Sequence, residues 1–237
     1  MNSFFKSKKL SGIISNYGLV DRILLIICLV CSFSVCWFFH DKGWLRRDAG
    51  YFGYISQRML EGDIIHRDIQ VLHAGLINFL NTLFLKLSDG DLVGLRYPLI
   101  GLTVVQSAIG FKLARENGYL TAVTAVLVLT AFGFLQFINP TPNWYALCLA
   151  IVLIYLLENL DKYETRDIVL IGFVVGIIFL FRQLSGIFMA LAVTVVIFLK
   201  HPSVTIGEKK PVAGRNVLIV LALGLCIYTL YLSLIHI

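Results

Sequence analysis

RDAGYFGYISQRMLEGDIIHRD, residues 47–68, is a polar island in an otherwise greasy chain, and the rest of the sequence is read outward from it. Its apolar residues fall at Tyr51, Phe52, Ile55, Met59 and Leu60, a spacing of three and four. That spacing predicts a helix with one apolar stripe, with Gln57, Arg58 and Glu61 on the other side. Gly62 stops it. Tyr and Phe opposite charge suit a helix lying at a membrane–water boundary rather than crossing the bilayer. Asp48 stands at its start, where a carboxylate faces the water-filled side.

The surroundings of this island are those of an integral membrane protein. Of 237 residues 58% are hydrophobic and only 14% charged, with a mean hydropathy of +0.85, more apolar surface than a soluble domain of this length can hide. The formal charge of +6 comes from Lys and Arg flanking apolar runs, which is membrane-topology charge and no sign of nucleic-acid binding. Cys28, Cys31, Cys36, Cys148 and Cys226 all lie inside apolar runs, and no Cys/His cluster has zinc spacing. Neither a disulfide, a metal nor a cofactor is therefore expected. Phe39-His40-Asp41 is no small-residue cleavage site, so Ile23–Phe39 stays as an anchor.

The N-terminal Met1–Arg22, with Lys6, Lys8, Lys9 and Arg22, is a basic head expected in the cytoplasm. After Ile23–Phe39, further spans are expected at Tyr97–Ala114, Tyr119–Ile138, Trp144–Leu160, Ile168–Phe181, Leu184–Leu199 and Asn216–Ile235. Leu72–Leu87, broken by Asn78, Asn81 and Lys86, is left over. If it does not cross, twelve of the twenty Lys and Arg lie on the starting side; if it crosses, seven do. The excess of basic residues on cytoplasmic loops favours the first arrangement, with Leu72–Leu87 an interfacial or re-entrant helix in one outer loop, residues 40–96. The expected fold is thus all-α, a polytopic transmembrane helix bundle, with residues 1–237 forming a single transmembrane domain.

Ile168–Leu199 is decided by length. As one helix it would reach about 48 Å, against a hydrocarbon core of about 30 Å. Arg182, the charge near its middle, would cost about 2.5–3.5 kcal/mol at the bilayer centre. Two helices meeting at Phe181–Gly186 avoid that cost and bring Arg182 to the outer surface. Gln136–Asn143, with Pro140 and Pro142, is expected as another outer turn, with Trp144 and Tyr145 as interfacial anchors. Glu158–Asp167 and Lys200–Arg215 read as solvated connectors, and Asp89-Gly90-Asp91 as a turn with two cap-type acids. The ending SLIHI, without a basic flank, leads to the expectation of a chain cut short on its C-terminal side.

Taken together, a short basic N-terminus, one span and the outer loop RRDAGYFGYISQRMLEGDIIHRDIQVLHAGLINFLNTLFLKLSDGDLVGLRYP resemble the GT-C membrane glycosyltransferases. The likeness is to the protein O-mannosyltransferases and the bacterial aminoarabinose and related transferases in particular. Asp48, Leu60–Gly62, His66–Asp68, Leu72–Leu87 and Arg96 follow one another in the order of that family's elements. His66 stands where Tyr is usual, His73-Ala74 where Pro is common, and Asp89-Gly90-Asp91 where Phe-Gly is usual. Asn139 and Asn143 flank the turn where relatives often carry an acid.

The resemblance implies an inverting transfer of a sugar from a polyprenyl-phosphate donor, at the outer face of the cytoplasmic membrane, to a glycan, lipid or protein acceptor. Asp48 would take the acceptor's proton, although the same residue also suits an N-cap. Asp68 would orient the acceptor or Asp48, the alternative being a loop acid paired with Arg67. Arg182 and Gln183, with Arg96 behind them, would hold the donor phosphate, while Arg182 alone also fits a snorkelling helix end. A transporter or flippase, or a membrane assembly subunit, is the competing class.

Overall fold

A computed structural model describes residues 18–43, 47–135, 138–160, 165–200, 218–224, 226–227 and 229–230. Among them the fold is all-α: α1 (Leu19–Phe39), α2 (Arg47–Leu60), α3 (Leu76–Leu87), α4 (Tyr97–Arg115), α5 (Tyr119–Val128), α6 (Pro142–Glu158), α7 (Thr165–Phe181) and α8 (Gln183–Lys200). A 3₁₀ turn, Leu92–Arg96, runs into α4, and a π-helical turn, Leu129–Phe134, extends α5. The basic head before Gly18, the connector at 201–217 and the ending at 231–237 lie outside the described residues.

Among the described residues two helices are long and apolar enough to cross a membrane, Leu19–Phe39 and the continuous Leu92–Arg115. They pack antiparallel and are tied at both ends. At one end Arg115 Nε donates to Asp21 Oδ1 at 2.5 Å, and its guanidinium lies 3.7 Å from the Tyr119 ring. At the other, Arg96 Nη1 donates to the carbonyls of His40 (2.7 Å) and Lys42 (3.0 Å), capping the C-terminus of α1. Between them the Ser32 hydroxyl meets Thr130 (2.8 Å) and Ser107 (3.3 Å), hydrogen bonds that join helices where apolar contact with lipid offers no driving force. Ile23, Ile26, Ile27, Val30, Phe33 and Trp37 stay exposed on α1, as a lipid-facing surface requires.

The later helices alternate in direction. The π-helical turn carries α5 back toward the Arg96 end, where Asn139 reaches Asp48. Helix α6 returns, and Lys112 over the Tyr155 ring marks its arrival at the Arg115 end. Helix α7 comes back, and Arg182 is the single residue that interrupts the rod, as its length required. The reversal needs Gly186, because a Cβ there would lie 2.5 Å from the Phe179 ring and 2.8 Å from its Cα. On the far flank Gly172 and Gly176 admit the helical residues around Val220 and Gly224; a Cβ on Gly172 would stand 3.1 Å from the Val220 Cα.

The island is a helix, but its buried face differs from the sequence reading. Ala49, Phe52, Ile55 and Ser56 are buried, while Tyr51 and Leu60 are exposed. The small residues Ala49 and Ser56 let neighbouring elements approach where the larger Tyr51 and Leu60 would hold them off. The segment at 72–87 forms a helix only from Leu76, and its twelve residues span about 18 Å, too few to cross. Asn78 and Asn81, read as interruptions of its apolar face, are its buried face, 1% and 0% exposed. Tyr145 is no interfacial anchor: it is 5% exposed and stacks on Phe181, ring centroids 4.6 Å apart.

Candidate active site

One end of the bundle gathers the polar residues. Asp48 lies in the first turn of α2 and is exposed, with the helix dipole favouring its negative charge. Its Oδ2 accepts from Asn139 Nδ2 at 3.2 Å, across 91 residues of sequence. Asn139 is 7% exposed, and the turn that carries it is held from behind by Asn81 Nδ2, which donates to the Pro140 carbonyl at 3.3 Å. Pro142 then opens α6, where its missing N–H is no loss.

One helical turn after Asp48, the Phe52 ring lies parallel to that of His73, centroids 6.5 Å apart and planes inclined by 17°. His73 in turn stands within electrostatic reach of Arg182: burial, and then the Arg182 charge, push its imidazole below the usual value. Arg182 has no carboxylate within salt-bridge distance among the described residues. Gln183 follows it as the first residue of α8. Phe181, just before Arg182, belongs to the same apolar floor as Phe52, Ile77, Leu99 and Tyr145. Phe52, one turn after Asp48, and Phe181, just before Arg182, thus share one apolar floor.

Two expected site residues are engaged elsewhere. The Asp68 carboxylate accepts from Arg67 (2.8 Å) and from the Ile64 backbone N–H (2.9 Å), and Arg67 beside it holds its carboxyl below the usual range. These bonds close the loop after α2, where Arg58 also pairs with Asp63, and no bond from Asp68 to Asp48 is found among the described residues. Arg96 is 3% exposed and holds the two carbonyls at the end of α1. Asp89 and Asp91 form the turn expected of them, with Asp91 Oδ1 accepting from the Val93 N–H at 2.9 Å. Sequence reading missed Asn81, Asn139 and Tyr145 as site residues. Asn139 was noticed for its position, but its partner lies too far along the chain for spacing to reveal.

Residues 73–229, about two thirds of the chain, match the family model described as dolichyl-phosphate-mannose-protein mannosyltransferase. The chain belongs to this family. No curated protein and no solved structure matches it. Membership makes it a membrane glycosyltransferase of the GT-C kind, as the resemblance implied. The matched stretch takes in His73, Asn81, Arg96, Asn139, Arg182 and Gln183, while Asp48 precedes it.

Proposed function

We propose that this glycosyltransferase moves a sugar, mannose being the one in the family's description, from a polyprenyl-phosphate donor to a hydroxyl acceptor, with inversion, at the outer face of the cytoplasmic membrane. In this reading the chain is multi-pass with its N-terminus in the cytoplasm. The acceptor is a glycan, a lipid or a protein side chain. The observation that supports the reading is the apolar cluster joining Phe52, one turn after Asp48, to Phe181, just before an Arg182 that has no carboxylate within salt-bridge distance among the described residues.

The chemistry follows from those two groups. The acceptor O–H gives its proton to Asp48 as its oxygen bonds to the anomeric carbon. The bond from that carbon to the phosphate oxygen breaks, and polyprenyl phosphate leaves with one more negative charge. Arg182 stabilises that charge as it develops, with Gln183 as a neutral donor beside it. Arg96 supports the site from behind by fixing the end of α1, and Asp68 by holding the loop at its rim. A single carboxylate acting on one face of the sugar, with the phosphate departing from the other, makes one displacement and therefore inversion.

The test is transfer of labelled sugar from polyprenyl-phosphate donors by membranes holding the protein, wild type against Asp48→Asn. Retained transfer in the variant removes Asp48 from the reaction. Orientation is tested by labelling a cysteine at Glu61, which is exposed, rather than at the fully buried Ser56. Labelling from the cytoplasmic side only would overturn the outer-face placement.

A further inference from the structure

We infer that Asn139 is a positioning residue for the transfer, setting which oxygen of Asp48 meets the acceptor and keeping the site to one carboxylate. The inference rests on the reading of Asp48 as the base and adds a residue to it. The geometry has three parts. The Asn139 amide is buried and its Nδ2 points at Asp48 Oδ2. Reversing the amide would set its oxygen against a carboxylate oxygen, so this orientation is forced by charge. Its own Oδ1 is buried and accepts no hydrogen bond among the described residues, so the contact with Asp48 is the polar bond its side chain makes there. The turn cannot drift either, because Asn81 holds Pro140 and the Thr141 N–H returns to the Asn139 carbonyl at 2.7 Å.

An amide N–H fixes Oδ2 and leaves Oδ1 of Asp48 as the oxygen open to an incoming hydroxyl. Among the described residues, the charged groups near this end are His73, whose ring stacks on Phe52, Arg182, which acts on His73, and Asp68, whose carboxylate is closed on Arg67. A carboxylate at 139 would change the chemistry outright. Two acids at hydrogen-bond distance share one proton, so the pair accepts a proton from the acceptor only at higher pH.

The experiment compares Asn139→Leu, Asn139→Asp and Asn139→Gln with wild type in membranes, measuring kcat, KM for donor and acceptor, and the pH profile of transfer. Leu is close in shape to Asn and removes only the polar contact. The expected result is a kcat lower by about 10- to 100-fold for Asn139→Leu with donor KM unchanged, the size of one lost hydrogen bond to a charge. Asn139→Asp is expected to move the acid limb of the profile to higher pH by about one unit, and Asn139→Gln to recover part of the rate. Wild-type kcat and wild-type pH profiles in both the Leu and Asp variants would overturn the role of Asn139 while leaving Asp48 as the base. Loss of transfer in all three variants at every pH, with unfolding temperatures below wild type, would make Asn139 a structural residue and overturn the inference likewise. Full transfer by Asp48→Asn would overturn the reading and the inference together.

Discussion

The two ends of the α1–α4 pair are tied in opposite ways. At the Arg115 end the charges on the pair are matched: Asp21 takes Arg115 and the Gly18 N–H, and Tyr119 covers the guanidinium. At the Arg96 end buried polar atoms are left over, on Asn78, Asn81, Arg96, Asn139 and Tyr145. Buried groups without partners are costly, and among the described residues these five lie on the elements around the Arg96 end, with Gln106 nearer the middle of α4. The contrast makes the Arg115 end a fastening and leaves hydrogen-bonding capacity around Arg96.

That contrast can be broken most sharply at Asp48. Asp48→Asn should lower transfer by about 10²- to 10⁴-fold, the range for a lost general base, with no change in unfolding temperature. Arg182→Ala should lower it by about 10²-fold, as loss of one group that stabilises developing charge does, and Arg182→Lys should recover part of it. At the other end the pattern should invert. Arg115→Met strips Asp21 of its partner, and the unfolding temperature of the solubilised protein should drop by a few degrees while donor and acceptor KM stay as in wild type. A large activity loss with unchanged stability there would end the division between the two ends.

The smallest effect concerns pH. His73 is held below its ordinary value of about 6.5 by burial and then by Arg182. The unfolded chain therefore takes up this proton first as the pH falls. The contribution of His73 to stability is full above about pH 6.5 and is lost as the pH drops through the lower folded value. His73→Phe should flatten the dependence of unfolding temperature on pH between about 7.5 and 5 relative to wild type. An unchanged slope would mean that another group carries it.

The helices, and the break at Arg182, were legible because hydrophobic length and one central charge are local properties. The distribution of Lys and Arg set Leu72–Leu87 apart from the expected spans, and the helix that forms there, Leu76–Leu87, is only twelve residues long. What escaped was the direction in which small and amide residues point. Counting large apolar groups placed Tyr51 and Leu60 inside α2, but the approach of neighbouring elements favoured Ala49 and Ser56. Asn78 and Asn81 read as flaws in an apolar stripe because burial of their face is a tertiary property: the acceptor of Asn81, the turn at Pro140, lies some sixty residues on and has no signature at the level of spacing. Asp68 shows the reverse: its partner is the next residue, and the plain pairing with Arg67 is what forms.

The grip of Arg96 on His40 and Lys42 draws the two ends of residues 43–95 together at the end of α1. The segment between them is fastened to the bundle as well, because Phe52 and Ile77 pack into its core and Asp48 and Asn81 bond to the turn at Asn139 and Pro140. Lengthening its exposed tip near Glu61–Asp63 should cost only about 0.6 kcal/mol for each doubling of loop length. Segments grafted there should leave the register of the spans unchanged.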